Sequence, residues 1–124
     1  MKKPISLLIL SISFLLSACS TTDIVSTVAE RIPHATIVDP EHYKIEFENE
    51  YVKVLRVKYG PYEKSPLHSH SWLVGVHLTD AKAKFTPKDG QAEIREIKSG
   101  DVGGGPAETH TVENLTDKDW ETIL

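Results

Sequence analysis

Two histidines one residue apart, His68 and His70, stand in Leu67-His-Ser-His-Ser71. In an extended chain, residues two apart point to the same face, so both imidazoles can converge on one point. Neutral imidazole is the commonest metal ligand among side chains. A third histidine, His110, closes the glycine-rich segment Gly100-Asp-Val-Gly-Gly-Gly-Pro-Ala-Glu-Thr-His110. A pair plus a distant third is the smallest protein ligand set for a metal site that keeps a coordination position open. Apart from the histidines, no acid/base dyad, nucleophile or phosphate-binding loop stands out.

Such side chains must be carried on strands. Short runs with strand character fall at Tyr43–Phe47, Val52–Tyr59, Trp72–Thr79, Ala83–Phe85, Ala92–Ile97, His110–Leu115 and Trp120–Leu124. Turn residues separate them: Asn49-Glu50, Gly60-Pro61, Lys88-Asp89-Gly90, Ser99-Gly100-Asp101 and Thr116-Asp117. The run from Trp72 to Thr79 is nearly all apolar, which predicts cover on both faces. Gln91 to Lys98 has Ile94 and Ile97 at helical spacing, but its short length and bounding turns predict a strand. Many short strands without helices predict an all-β sandwich or barrel.

The formal charge is −4. Without Lys2 and Lys3 the remainder carries −6, and no Lys/Arg cluster follows Cys19. A nucleic-acid partner, which needs a basic patch, is not expected. The first residues are of another kind. Met1-Lys2-Lys3 precedes an apolar run over 5–16, broken only by Ser6, Ser11 and Ser13. That run is too short for a membrane-spanning helix and has signal-peptide length. It ends in Leu16-Ser17-Ala18-Cys19, which resembles the lipobox of bacterial lipoproteins. The resemblance implies a signal peptide over 1–18, cleavage before Cys19 and lipidation of its sulfur. Several acyl chains anchor a protein stably where one is marginal. Ser20 rather than Asp after Cys19 fits outer-membrane sorting in enteric-type bacteria. The expected location is the periplasmic face of a bacterial membrane. Cys19 is the only cysteine, so none remains for a disulfide or a metal. Residues 19–36 read as a tether, in which Ile24, Val25, Val28 and Ile32 could form one short amphipathic helix. Residues 37–124 read as one small domain.

The domain resembles the cupin superfamily, whose members are small double-sheet jelly rolls, or double-stranded β-helices. The first cupin motif is Gly, five residues, His-x-His, three or four residues, Glu. It is matched by Tyr62, His68, His70 and Val74-Gly75. The second motif is Gly, five residues, Pro-x-Gly, a short gap, His, three residues, Asn. It is matched by Gly100, Pro106, Glu108, His110 and Asn114. The chain departs from the pattern in four ways. Tyr62 replaces the first glycine. Val74 and Gly75 occupy the two places open to the ligating glutamate. Glu108 replaces the glycine after Pro106. Gly103-Gly104-Gly105 replaces a usually bulky stretch.

The resemblance implies that His68, His70 and His110 hold a divalent metal inside the barrel. Ligand type alone leaves Fe, Zn, Mn, Ni and Cu open. Some cupins use three histidines without the glutamate. Glu108 and Glu63 are expected as solvated carboxylates, with ligation the alternative. His77, an odd number of residues after His70, is expected on the opposite side. His34 and His42 receive no role. Trp72 is placed on the cavity face or in the core, and Asn114 in a turn or behind a ligand. Two functions fit: a metal-dependent enzyme of oxygenase or isomerase type on a small molecule, or a binding barrel, with or without an intact metal site. Cupins commonly dimerise, which implies a homodimer.

Overall fold

The computed structural model describes residues 31–124. The signal peptide, Cys19 and the expected helix before Ile32 lie outside the described residues, apart from that helix's last positions. Among the described residues there is one helical turn, α1 (Ala35–Val38), and nine strands follow it. They are β1 (Tyr43–Glu48), β2 (Lys53–Tyr59), β3 (His68–His70), β4 (Leu73–His77), β5 (Ala81–Pro87), β6 (Glu93–Ile97), β7 (Val102–Gly105), β8 (Glu108–Asn114) and β9 (Trp120–Ile123). They form two antiparallel sheets, ordered β1-β2-β9-β4-β7 and β3-β8-β5-β6. The expected all-β double-sheet barrel is present.

All seven expected strands exist, with ends shifted by a residue or two. The ambiguous segment after Gly90 is a strand, β6, paired to β5 from Ala81↔Ile97 to Phe85↔Glu93. Two further strands lie outside the runs located from sequence. β3 is three polar residues long, and three of the four residues of β7 are glycines. Neither has strand propensity of its own. β3 exists because β8 pairs with it, and β7 because β4 does. β4 corrects a second expectation. Its inner face carries Leu73, Gly75 and His77, whereas Val74 and Val76 are exposed outside, and Trp72 just before it is 76% exposed. The apolar run is therefore covered on one face, and Trp72 belongs to neither core nor cavity.

The core gathers Tyr43, Leu55, Val57, Tyr59 and Trp120 from one sheet and Ala81, Ala83, Ile97 and Val112 from the other. Tyr59 stacks on Trp120 with ring centres 5.5 Å apart and meets Tyr43 edge-on at 6.1 Å. A fully buried large apolar side chain contributes about 1.5–3 kcal/mol, so these rings dominate the packing. Ala35 joins them from α1, and the chain before it is bound to β3. Ser69 donates its backbone N–H to Pro33 O (3.0 Å) and its hydroxyl to Ile32 O (2.7 Å). Residues 32–36, assigned to a tether from sequence, thus include a segment held against the barrel.

Both motif glycine positions require a left-handed backbone. Gly100 has φ 88°, and Tyr62 has φ 59°. A side chain there costs about 1–2 kcal/mol, which explains why a glycine is usual where Tyr62 stands. Asn114, wholly buried, closes the loops beneath. Its amide donates to Gly60 O (2.9 Å) and Lys118 O (2.7 Å), while its oxygen accepts from the Thr116 hydroxyl (2.8 Å). It is a turn residue.

Candidate metal centre

The register of β3 against β8 builds the site. His68 pairs with His110, and His70 pairs with Glu108. Directly paired residues share a face, as do residues two apart on one strand. Three imidazoles and one carboxylate therefore form a two-by-two patch on the inner face of one sheet. Ser69 and Thr109 point away, and Ser69 is the residue bound to the segment before α1. The His110 ring centre lies 4.9 Å from that of His68 and 4.9 Å from that of His70.

Within this patch, the ligand atoms of His70, Glu108 and His110 all lie within 4.8 Å of one another. Ligands at 2.0–2.2 Å from a divalent ion sit about 3–3.5 Å apart, so small side-chain rotations close the set. His70 is already turned for this. Its Nδ1 lies 2.8 Å from Ser71 O, a pure acceptor, so Nδ1 carries the proton and Nε2 is left as the ligating atom. His110 is buried, and its Nδ1 has no hydrogen-bond partner; Glu108 Oε2 is 3.3 Å away. A buried polar atom without a partner is costly unless something binds there. The donor set of two imidazoles and one carboxylate with open positions suits a divalent transition metal.

His68 stands outside that group. Its Nδ1 lies 3.1 Å from Pro66 O and therefore donates, and its Nε2 lies 3.2 Å from the Tyr43 hydroxyl. Tyr43 in turn accepts from the Tyr59 hydroxyl at 2.9 Å. The three hydrogen bonds run in one direction and hold His68 neutral against the core. Burial pushes both His68 and His110 down to about 4, with neighbouring imidazoles adding to the effect and Arg95 also acting on His110. Both rings are thus neutral near pH 7, the form that binds metal.

Beside the cluster lies a cavity of about 300 Å³. Phe85, Trp120, Val112 and Leu73 make its apolar wall, and Gly103, Gly104 and Gly105 make an edge. His77 also lines it, correcting the expected opposite placement. Its Nδ1 is 2.8 Å from Thr122 Oγ1, and burial lowers its pKa. The offset from His70 fails as a guide because the chain leaves one sheet at His70 and joins the other at Leu73. Arg95, which the sequence did not single out, lines the cavity as well. Its signal was available only as an odd-numbered residue of β6, opposite an inward alanine. Glu63 lies elsewhere: it accepts from the Gly60 N–H and pairs with His42 at 3.1 Å. His42 also bonds Asp39 at 2.7 Å and stacks on Tyr59, while His34 caps α1.

Two of the sequence departures are linked. A glutamate at Val74 would point outward, and one at Gly75 would meet Leu124 Cδ2, 2.9 Å from a Cβ placed there. Glu108 brings a carboxylate to the same face from the neighbouring strand instead.

No family model matches the chain, and no curated protein matches it. Solved structures do. A cupin domain of Bordetella pertussis Tohama I superposes with a TM-score of 0.61 at 23% identity, over 65% of this chain and 85% of that one. The Cnp3 cupin domain of Schizosaccharomyces pombe gives 0.51 at 12% identity, over 65% and 59%. Drosophila melanogaster CENP-C gives 0.50 at 13% identity, over 65% and 69%. At these identities the likeness is one of fold, and the fold is the cupin barrel.

Proposed function

We propose that this barrel binds one divalent transition-metal ion through His70, Glu108 and His110 and uses it to bind or transform a small molecule. The observation that carries the reading is the convergence of those three side chains beside a cavity. Of the three histidines expected as ligands, His68 takes part only if its Nε2 leaves Tyr43, so it serves as a fourth, exchangeable group. A bound metal would supply a Lewis acid, or a redox centre if it is iron, copper or manganese. The chain's own residues do the rest. Ser71 O orients His70, Tyr43 and Pro66 orient His68, and Phe85 and Trp120 keep the adjacent space apolar. Two histidines and one carboxylate with open positions are the donor set of non-haem iron oxygenases, which favours the oxygenase branch over the isomerase branch.

The protein reaches its substrate, on this proposal, as a lipoprotein held by Cys19 at the periplasmic face of a bacterial membrane, more in the outer membrane than the inner, and as a homodimer. The leader over 1–18 and its lipobox-like end Leu16-Ser17-Ala18-Cys19 support the anchor, and the homodimer rests on the cupin resemblance.

Metal analysis of protein purified without a histidine tag tests the central claim. About one equivalent is expected, falling at least tenfold in His70→Ala and Glu108→Ala. Trace metal unaffected by either change would leave a binding barrel without a metal, the reading favoured by His68's engagement with Tyr43. Cys19→Ser should move the protein from the membrane fraction to the soluble fraction, and sedimentation should give twice the chain mass.

A further inference from the structure

We propose that the cavity takes a small molecule with one carboxylate on a flat apolar body, anchored by Arg95 and admitted by the missing side chains of β7. Arg95 lies directly opposite Ala83, whose side chain is wholly buried, so Arg95 belongs to the inner face of its sheet. Its guanidinium carbon sits 4.6 Å from the centre of the Phe85 ring, a cation–π contact that fixes it at the cavity. Its side-chain partner is Glu93, at 2.7 Å through one Nη. Both members of that pair are more than half exposed, where solvent screens the attraction and leaves the pair weak. Most of the five donors of the guanidinium fork remain for a carboxylate, which it matches two-for-two.

Phe85 joins this anchor to the metal cluster. Its ring centre is 5.8 Å from that of His110 and 6.1 Å from that of Trp120. A flat apolar body can lie along this floor with one end at the guanidinium and the other at the cluster. The opposite wall supplies the room. Gly103 pairs with Gly75, and Gly105 pairs with Leu73, all on the inner face. A Cβ built at Gly103 or Gly105 meets nothing within 4 Å. Larger residues there would fill the cavity without touching the fold.

Charge points the same way. Arg95 and Glu108 are the one cationic and the one acidic side chain on the cavity wall. Once Glu108 is committed to a divalent ion, which rests on the reading above, the wall is net positive and favours an anion.

Calorimetric titration of the full chain in detergent with benzoate and with neutral benzamide tests this. Benzoate should bind at least tenfold more tightly than benzamide. Arg95→Gln should erase the difference, Glu93→Gln should tighten benzoate by freeing the fork, and Gly103→Leu should weaken both ligands tenfold at unchanged melting temperature. Equal binding of the two ligands, or unchanged benzoate affinity in both Arg95→Gln and Glu93→Gln, overturns the proposal. Running zinc-loaded and chelator-treated protein in parallel separates the two claims. An Arg95-dependent preference in protein that takes up no zinc upholds the anchor while refuting the metal; stoichiometric zinc without the preference refutes the anchor alone.

Discussion

Glu108 faces His70 directly across the β3–β8 ladder, two residues before His110 on its own strand. That register brings a carboxylate into a histidine cluster from which the usual sequence position of the carboxylate is missing. Glu108→Gln should keep the shape of the patch and remove the charge. Zinc or iron affinity is expected to fall about 10- to 100-fold, whereas Glu63→Gln, which disturbs the Gly60 loop and the His42 pair away from the cluster, should leave it within twofold. Competition against a fluorescent chelator reads both.

The Tyr59–Tyr43–His68 chain makes a stability prediction. Tyr43→Phe leaves His68 Nε2 buried without a partner, at a cost of about 1–3 kcal/mol. Urea unfolding should show a lower midpoint at unchanged slope. It should also release His68 toward the cluster, so metal affinity should stay level or rise. A loss of affinity would mean that Tyr43 orients the site rather than holding His68 away from it.

Metal-free protein should lose stability on acidification. His68 and His110 hold protons only below about 4 in the folded state, against an ordinary 6.5. Between those values the unfolded chain binds more protons, so stability is complete above pH 6.5 and falls as pH drops toward 4. The melting temperature in chelator should decline across that window, and His110→Asn should flatten part of the decline. A flat profile from pH 7 to 4.5 would show that the two rings are not buried as described.

Two backbone positions predict opposite signs. Tyr62 holds a left-handed φ while its side chain is exposed, so Tyr62→Gly should stabilise by about 1 kcal/mol through removal of that strain. A Cβ at Gly104 would sit 2.7 Å from Leu73 O, a backbone atom that cannot swing aside. Gly104→Ala should therefore destabilise by about 1–3 kcal/mol, while Gly103→Ala is neutral or better. Thermal melts of the three variants suffice.

Much of this was legible in the chain because it depends on local physics. Alternating apolar runs and turn residues located seven strands, since strand pleat and turn geometry are written in neighbouring residues. The spacing of His68, His70 and His110, with Gly100, Pro106 and Asn114, pointed to the barrel that the superpositions bear out. Gly100 was read as a turn residue and Tyr62 as standing in place of a motif glycine, and both carry a left-handed backbone.

What the tertiary structure decided depends on pairing between distant strands. The polar β3 and the glycine strand β7 have no propensity to be strands until β8 and β4 supply their hydrogen bonds. His77 reaches the cavity because the chain changes sheet after His70, which parity along one strand cannot foresee, and Arg95 faces the cavity because the β5–β6 pairing sets it opposite Ala83. Glu108 read as a solvated loop carboxylate, since its partner across the ladder lies far away in sequence. The chain itself determined which side chains could bind a metal; the β3–β8 register decided which of them meet, because only cross-strand hydrogen bonds set distances between residues that sequence holds apart.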